Sequence, residues 1–352
     1  MLLEEALNAI SPLDEISMEK AKTKLDSLTK PLNSLGKLEE IVIRLSGIQN
    51  TSNPVISKKA VIIMCADNGV VAEGVSSCPK EVTASVTRNF LTGITGVNVL
   101  ANYSNAEIFV CDIGVDSDLS EEKNIIHRKI RFGTDNIVHG PAMSREEAIL
   151  AIEIGISEVE KLYAKGYTII GTGEMGIGNT TTSSAITAVL TSSSPEDVTG
   201  HGAGLSKEAY LKKIEVITRA LSTNSPYGDS IDILSKLGGF DIAGLVGCFI
   251  GSAAVGCACV VDGFISSVAA LIAINICPEV KKYIFLSHYS KEPGTARLIQ
   301  ALEMEPMLNL GMCLGEGSGA ALSFCIFDAA LMAYEKMGTF DDAKIEQYTP
   351  QI

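Results

Sequence analysis

The sequence predicts an α/β protein: a doubly wound, mostly parallel sheet, with a small helical domain drawn from both chain termini. Two observations predict it. Five short apolar runs, none of them alternating, end in polar turns, as parallel strands buried on both faces do. Helical patterns lie between the runs, and a repeated strand–helix order closes into one parallel sheet. With 352 residues the chain can form one large domain or two unequal lobes.

The elements follow in order. The first 55 residues read as helices, with Leu35, Leu38, Ile41, Val42 and Leu45 on one apolar stripe. The apolar runs cover residues 60–67, 107–114, 167–174, 258–263 and 283–288. Between the second and third, Ser144 and Glu147 form a capping box that opens a helix to Lys165, and Gly166 closes it. Residues 242–261 are uncharged and long enough to span a bilayer. They hold four glycines, are flanked by Asp241 and Asp262, and have no Lys or Arg nearby to set an orientation. They read as a helix buried all round, then a core strand. Residues from about 290 onward read helical again, and the tail after Gly338 as polar and loosely held. The small helical domain is therefore placed at 1–55 and 291–352, and the large domain at 56–290. Ligands of such sheets bind at the carboxyl ends of the strands. Asp67, Asp112, Glu174, Asp262 and His288 fall there.

Composition narrows the function. The net charge is −14, no run of Lys or Arg forms a patch, and there is no Trp. Nucleic-acid binding needs clustered cations and is not expected. Nine cysteines and four histidines show no zinc-type spacing, and Cys257 and Cys259 are the only close pair. The thiols read as buried groups of a reducing cytoplasm, with no metal ion and no membrane span. The N-terminus lacks the basic and apolar regions of a signal peptide, which also suits a cytoplasmic protein.

Two glycine-rich segments carry the chemistry, residues 171–181 and 314–322, each with one carboxylate among glycines: Glu174 and Glu316. Glycine lets amide N–H groups crowd round an anion, and a helix N-terminus adds partial positive charge. Gly176, Gly178, Asn179 and Thr180 read as a monophosphate cradle opening a helix. Residues 200–204 form a second nest or a plain turn, and Lys213 alone reads as a solvated helix lysine beside Lys212. Glu316 is a catalytic carboxylate or a complement to a helix dipole. Gly171, Gly173 and Gly176 mimic a dinucleotide fingerprint, but residues 190–197 form a loop instead of a second strand ending in an acid, which argues against an NAD-dependent dehydrogenase. Asp67-Asn-Gly69 and Asp112-Ile-Gly114 read as turns. His288 reads as a structural histidine, and no Ser–His–Asp order is evident.

At this point the chain resembles the nicotinate-nucleotide:dimethylbenzimidazole phosphoribosyltransferase family of cobamide lower-ligand assembly. Ordered blocks carry the resemblance along almost the whole length: 30–39, 65–70, 79–83, 140–144, 173–181, 236–241, 287–290 and 314–322. The resemblance implies a Rossmann-like large domain, a small domain from both termini, and dimers. It implies nicotinate mononucleotide as donor and an aromatic acceptor, with no metal or organic cofactor. It implies Glu316 as general base and Glu174 as its helper. The donor phosphate is placed against Gly176, Gly178, Asn179, Thr180, Gly202, Ala203, Gly204, Lys213 and Ser290. The acceptor pocket is placed at Cys78, Val86, Met175 and Leu314. Cys78 and Val86 stand where the family usually has polar side chains, Asn68 replaces a usual His, and Asn33 a usual Gly. An apolar pocket suits an acceptor with one polar atom, as in the phenol/p-cresol branch, which works with a paralogous subunit. Either a homodimer or a heterodimer follows. The non-catalytic alternative is a binding subunit of such a pair.

Overall fold

The computed structural model describes residues 1–201 and 204–347. Six strands form one sheet in which every pairing is parallel. They are β1 (Lys58–Ala66), β2 (Ala106–Gly114), β3 (Ile125–His127), β4 (Tyr167–Met175), β5 (Ala258–Val261) and β6 (Ile284–Leu286), in spatial order β3-β2-β1-β4-β5-β6. Five coincide with the apolar runs. The edge strand β3 pairs only with β2 and buries one of its three residues, so it leaves no apolar run, whereas the equally short β6 at the other edge buries all three. The chain builds outward from β1 to β3, then returns to the other side of β1 as β4. The strand order therefore reverses between β1 and β4, where such sheets open a binding crevice.

The helices flanking the sheet begin and pack for local reasons. Helix Arg145–Ala164 starts at the expected box: Ser144 Oγ accepts from Glu147 N at 3.1 Å, and a Glu147 carboxylate oxygen accepts from Ser144 N at 2.8 Å. Helix Phe240–Val255 packs against it backbone to backbone. A Cβ on Gly155 would lie 2.0 Å from the Gly244 carbonyl oxygen, and one on Gly247 1.9 Å from that of Ile152. Every residue from Phe240 to Ala253 is buried, as a helix buried all round requires. Among the described residues no helix is long and apolar enough to cross a membrane.

Helix Lys37–Ile48 buries Ile41, Val42 and Leu45 against helices Glu15–Ser27 and Ser318–Lys336. The last of these also lies on β1 and β4, with Ala320 and Phe324 filling the space beside Gly171. Residues 339–345 are better held than their polarity suggests. Thr339 caps a short helix, Phe340–Ala343, bridges to Leu28, and lets Phe340 bury its ring.

Candidate active site

β4 carries Glu174 as its next-to-last residue, and its Gly173 touches a turn from the far end of the chain. A Cβ on Gly173 would lie 2.3 Å from the Glu316 carbonyl oxygen. That turn has three successive left-handed residues: Gly315 (φ 83°), Glu316 (φ 64°) and Gly317 (φ 94°). The conformation suits glycine and costs a glutamate about 1–2 kcal/mol. Asp262, directly after β5, holds it in place. Its carboxylate accepts from the amides of Gly317 (3.1 Å), Gly319 (2.6 Å) and Ala320 (3.1 Å). It thereby caps helix Ser318–Lys336, whose own N-cap, Gly317, has no side chain.

The two glutamates meet at this turn. Glu316 N donates to Glu174 Oε1 at 3.4 Å, and Glu316 Oε2 accepts from Val97 N at 3.3 Å, at the start of helix Gly96–Tyr103. Burial raises the Glu316 carboxyl, while the amides of Val97 and Gly96 draw it back. Burial also pushes Glu174 up to about 7, against the Asn179 amide and the Glu316 N–H, with the Glu316 charge adding to the rise. One carboxyl pushed up to about 7 and a second raised by burial beside it suit proton transfer.

The segment after β4 wraps into a helix start. Gly178 (φ 93°) is the N-cap of helix Asn179–Thr191. Asn179 Nδ2 donates to Glu174 Oε2 and, at 3.0 Å, to Asp241 Oδ2. Thr180 Oγ1 accepts from Lys213 Nζ at 2.9 Å. Lys213 is therefore not a solvated neighbour of Lys212. It is wholly buried, and burial lowers it to about 8. Ser290 is buried, and its hydroxyl accepts from Glu292 N at 3.4 Å.

These groups line one cleft of about 750 Å³ at the carboxyl ends of β4 and β5. Glu174, Met175, Gly176, Gly178, Asn179, Thr180, Ser290, Leu314, Glu316 and Val86 all face it. Lys213 reaches it through Thr180. Gly204 is exposed, has φ 93°, and is not on the wall. Gly202 and Ala203 lie outside the described residues. Cys78 is not on the wall either. The segment turns before helix Glu81–Thr92, so Ser76 faces the cleft and its hydroxyl accepts from Cys78 N at 3.1 Å.

A phosphoribosyltransferase family model matches residues 10–345. The chain belongs to this family. The nicotinate-nucleotide–dimethylbenzimidazole phosphoribosyltransferase of Acetivibrio thermocellus is 56% identical to it over the full length of both chains. That of Ruminiclostridium cellulolyticum is 57% identical over 99% of each. The crystal structure of CobT from Thermus thermophilus is 36% identical, with a TM-score of 0.90, covering 95% of this chain and 100% of that one.

Several wall residues of this phosphoribosyltransferase escape a reading of motifs. Val82 and Ile177 lie inside the blocks that carry the resemblance, and Phe264 follows the Asp262-Gly pair, yet no motif places any of the three in the cleft they line. His288 is hydrogen-bonded as a structural histidine is, its Nδ1 lying 2.9 Å from Ser287 Oγ, but it too faces the cleft. The role of Asp262 had one signal, an Asp-Gly pair at a strand end. Its helix partner, 55 residues away, leaves no local trace.

Proposed function

We propose that this enzyme transfers the 5-phosphoribosyl group of nicotinate mononucleotide to an aromatic lower-ligand base, giving an α-ribotide and nicotinate. The observation that carries this is the turn at Glu316, which sets one carboxylate beside Glu174 and across a cleft from a glycine-rich helix start. In this reading the phosphate sits against Gly176, Gly178, Asn179, Thr180 and Ser290, with Lys213 supplying charge through Thr180. The C1′–nitrogen bond to nicotinate breaks, and C1′ gains oxocarbenium character. The acceptor attacks from the opposite face, which inverts the anomeric centre. Glu316 takes the acceptor's proton, a contribution of about 10²–10⁴-fold. Alignment of the two reactants contributes at least as much. Glu174 orients the ribose and the Glu316 turn. A dimer in a reducing cytoplasm belongs to the same reading.

The names of the relatives favour dimethylbenzimidazole as acceptor. A phenolic acceptor is the second reading, favoured by one observation: Val82, Val86, Met175, Ile177 and Leu314 make much of the wall apolar. A buried polar partner left unpaired costs about 1–3 kcal/mol, so such a wall tolerates an acceptor with a single polar atom. Purified enzyme incubated with nicotinate mononucleotide and either dimethylbenzimidazole or p-cresol decides between them by mass spectrometry. An N-linked ribotide supports the first acceptor and an O-linked one the second. No ribotide from either, alone or with a co-purified partner subunit, rejects the transfer itself.

A further inference from the structure

Behind the cleft, Asn179 turns a single nitrogen toward two acids, Glu174 and Asp241. Both are buried, Asp241 wholly, and no Lys, Arg or His pairs with either among the described residues. The far side of Asp241 faces Asn68. A Cβ on Gly239 would lie 2.3 Å from Asp241 Oδ1 and 2.4 Å from Asn68 Oδ1, so both oxygens border that glycine. Asp241 Oδ1, Asn68 Oδ1 and Asn68 Nδ2 are all buried without a hydrogen-bond partner. A proton on Asp241 would give Asn68 Oδ1 the donor it lacks. One neutral amide is also too little to hold two full negative charges side by side.

We propose that Glu174 and Asp241 carry one negative charge between them. The Asp241 hydroxyl donates to Asn68 Oδ1, and Asn179 holds Glu174 as the carboxylate facing the cleft. Asp241 does not line the cleft, so it is a positioning residue, and this role rests on the phosphoribosyl-transfer reading. Among the groups facing the pair, Glu316 and Asp262 repel the Glu174 charge, and Glu174 repels that of Asp241, while Asn68 and the Ile242 amide draw Asp241 back toward the ionised form without overcoming its burial. The nearby cation Arg131 stands off over the Phe240 ring, 5.4 Å from its centroid. Burial pushes both carboxyls up to about 7.

Asp241→Asn mimics the protonated acid, because its amide donates to Asn68 while its oxygen accepts from Asn179. Asp241→Ala removes both bonds. In the pH profile of kcat/KM, D241N should lose one titration step and keep turnover within about ten-fold at pH 7. D241A should lose roughly a hundred-fold through misplacement of Glu174. Melting supplies a readout without turnover. A carboxyl raised in the folded state lowers stability as pH climbs from its unfolded to its folded value. The Tm gain of D241N over wild type should therefore grow from pH 5 to pH 8. If D241N is as inactive as D241A and its Tm gain is flat or shrinks with pH, Asp241 is an ordinary anion and the shared charge is wrong. If D241A turns over like wild type, the positioning role is wrong. A wild-type enzyme that makes no ribotide rejects the transfer reading, while the melting comparison still decides the charge state.

Discussion

Glu316 is a glutamate in a backbone conformation that glycine prefers, between two glycines that adopt it at no cost. Its carboxylate is anchored at Val97 N and its amide at Glu174, so its orientation is set from both ends. Glu316→Gln keeps the shape and removes the base. It is expected to lower kcat by about 10²–10⁴-fold with little change in the KM for donor, measured by initial rates. Wild-type-like kcat in that variant removes Glu316 from the chemistry. Gly315→Ala tests the turn itself. The new Cβ would lie 2.6 Å from Glu174 Oε1 at φ 83°, so both Tm and kcat should fall. Glu174 and Glu316 were legible because glycines surrounded each of them. Asp241 was not, because its importance lies in what it faces across the fold.

Elements that obey local rules were legible from the chain alone. The helix opened by Ser144 begins where its capping box says, and Ser144→Ala should cost about 1 kcal/mol in denaturant unfolding. The five core strands announced themselves because burial on both faces forces a continuous apolar run. β3 at one edge, with one of its three residues buried, has no such constraint, whereas β6 at the other edge buries all three. The wall at Cys78 was misplaced for a related reason: which side of a turn faces a cleft depends on the next helix, not on the turn. Helix Phe240–Val255 shows the limit of composition. Its glycines suggested a buried helix, but only the structure shows that Gly247 meets the Ile152 carbonyl. Gly247→Ala should force two helices apart and cost about 1–3 kcal/mol or more, read as a lowered Tm.

At the scale of the whole molecule, buried acids set the response to pH. Glu174 and Asp241 have folded values near 7, against about 4 for the unfolded chain. The folded state therefore keeps protons that the unfolded chain has released, and stability falls as pH rises between those values. Burial lowers His288, which works the other way with one proton, so the acids prevail. Tm without substrate should decline from pH 5 to pH 7.5 in scanning calorimetry, and a rising Tm would contradict the buried carboxyls. The parallel sheet followed from alternating strands and helices, but its strand order did not. The joining of residues 174, 262 and 316 into one cleft did not, because it depends on contacts between segments far apart in the chain. The cleft's wall is unevenly distributed along the chain. Ser76, Val82 and Val86 are its only described lining residues before position 174. A genetic crossover anywhere between codons 87 and 173 would thus exchange that wall whole and leave both glutamates and the glycine-rich helix start untouched.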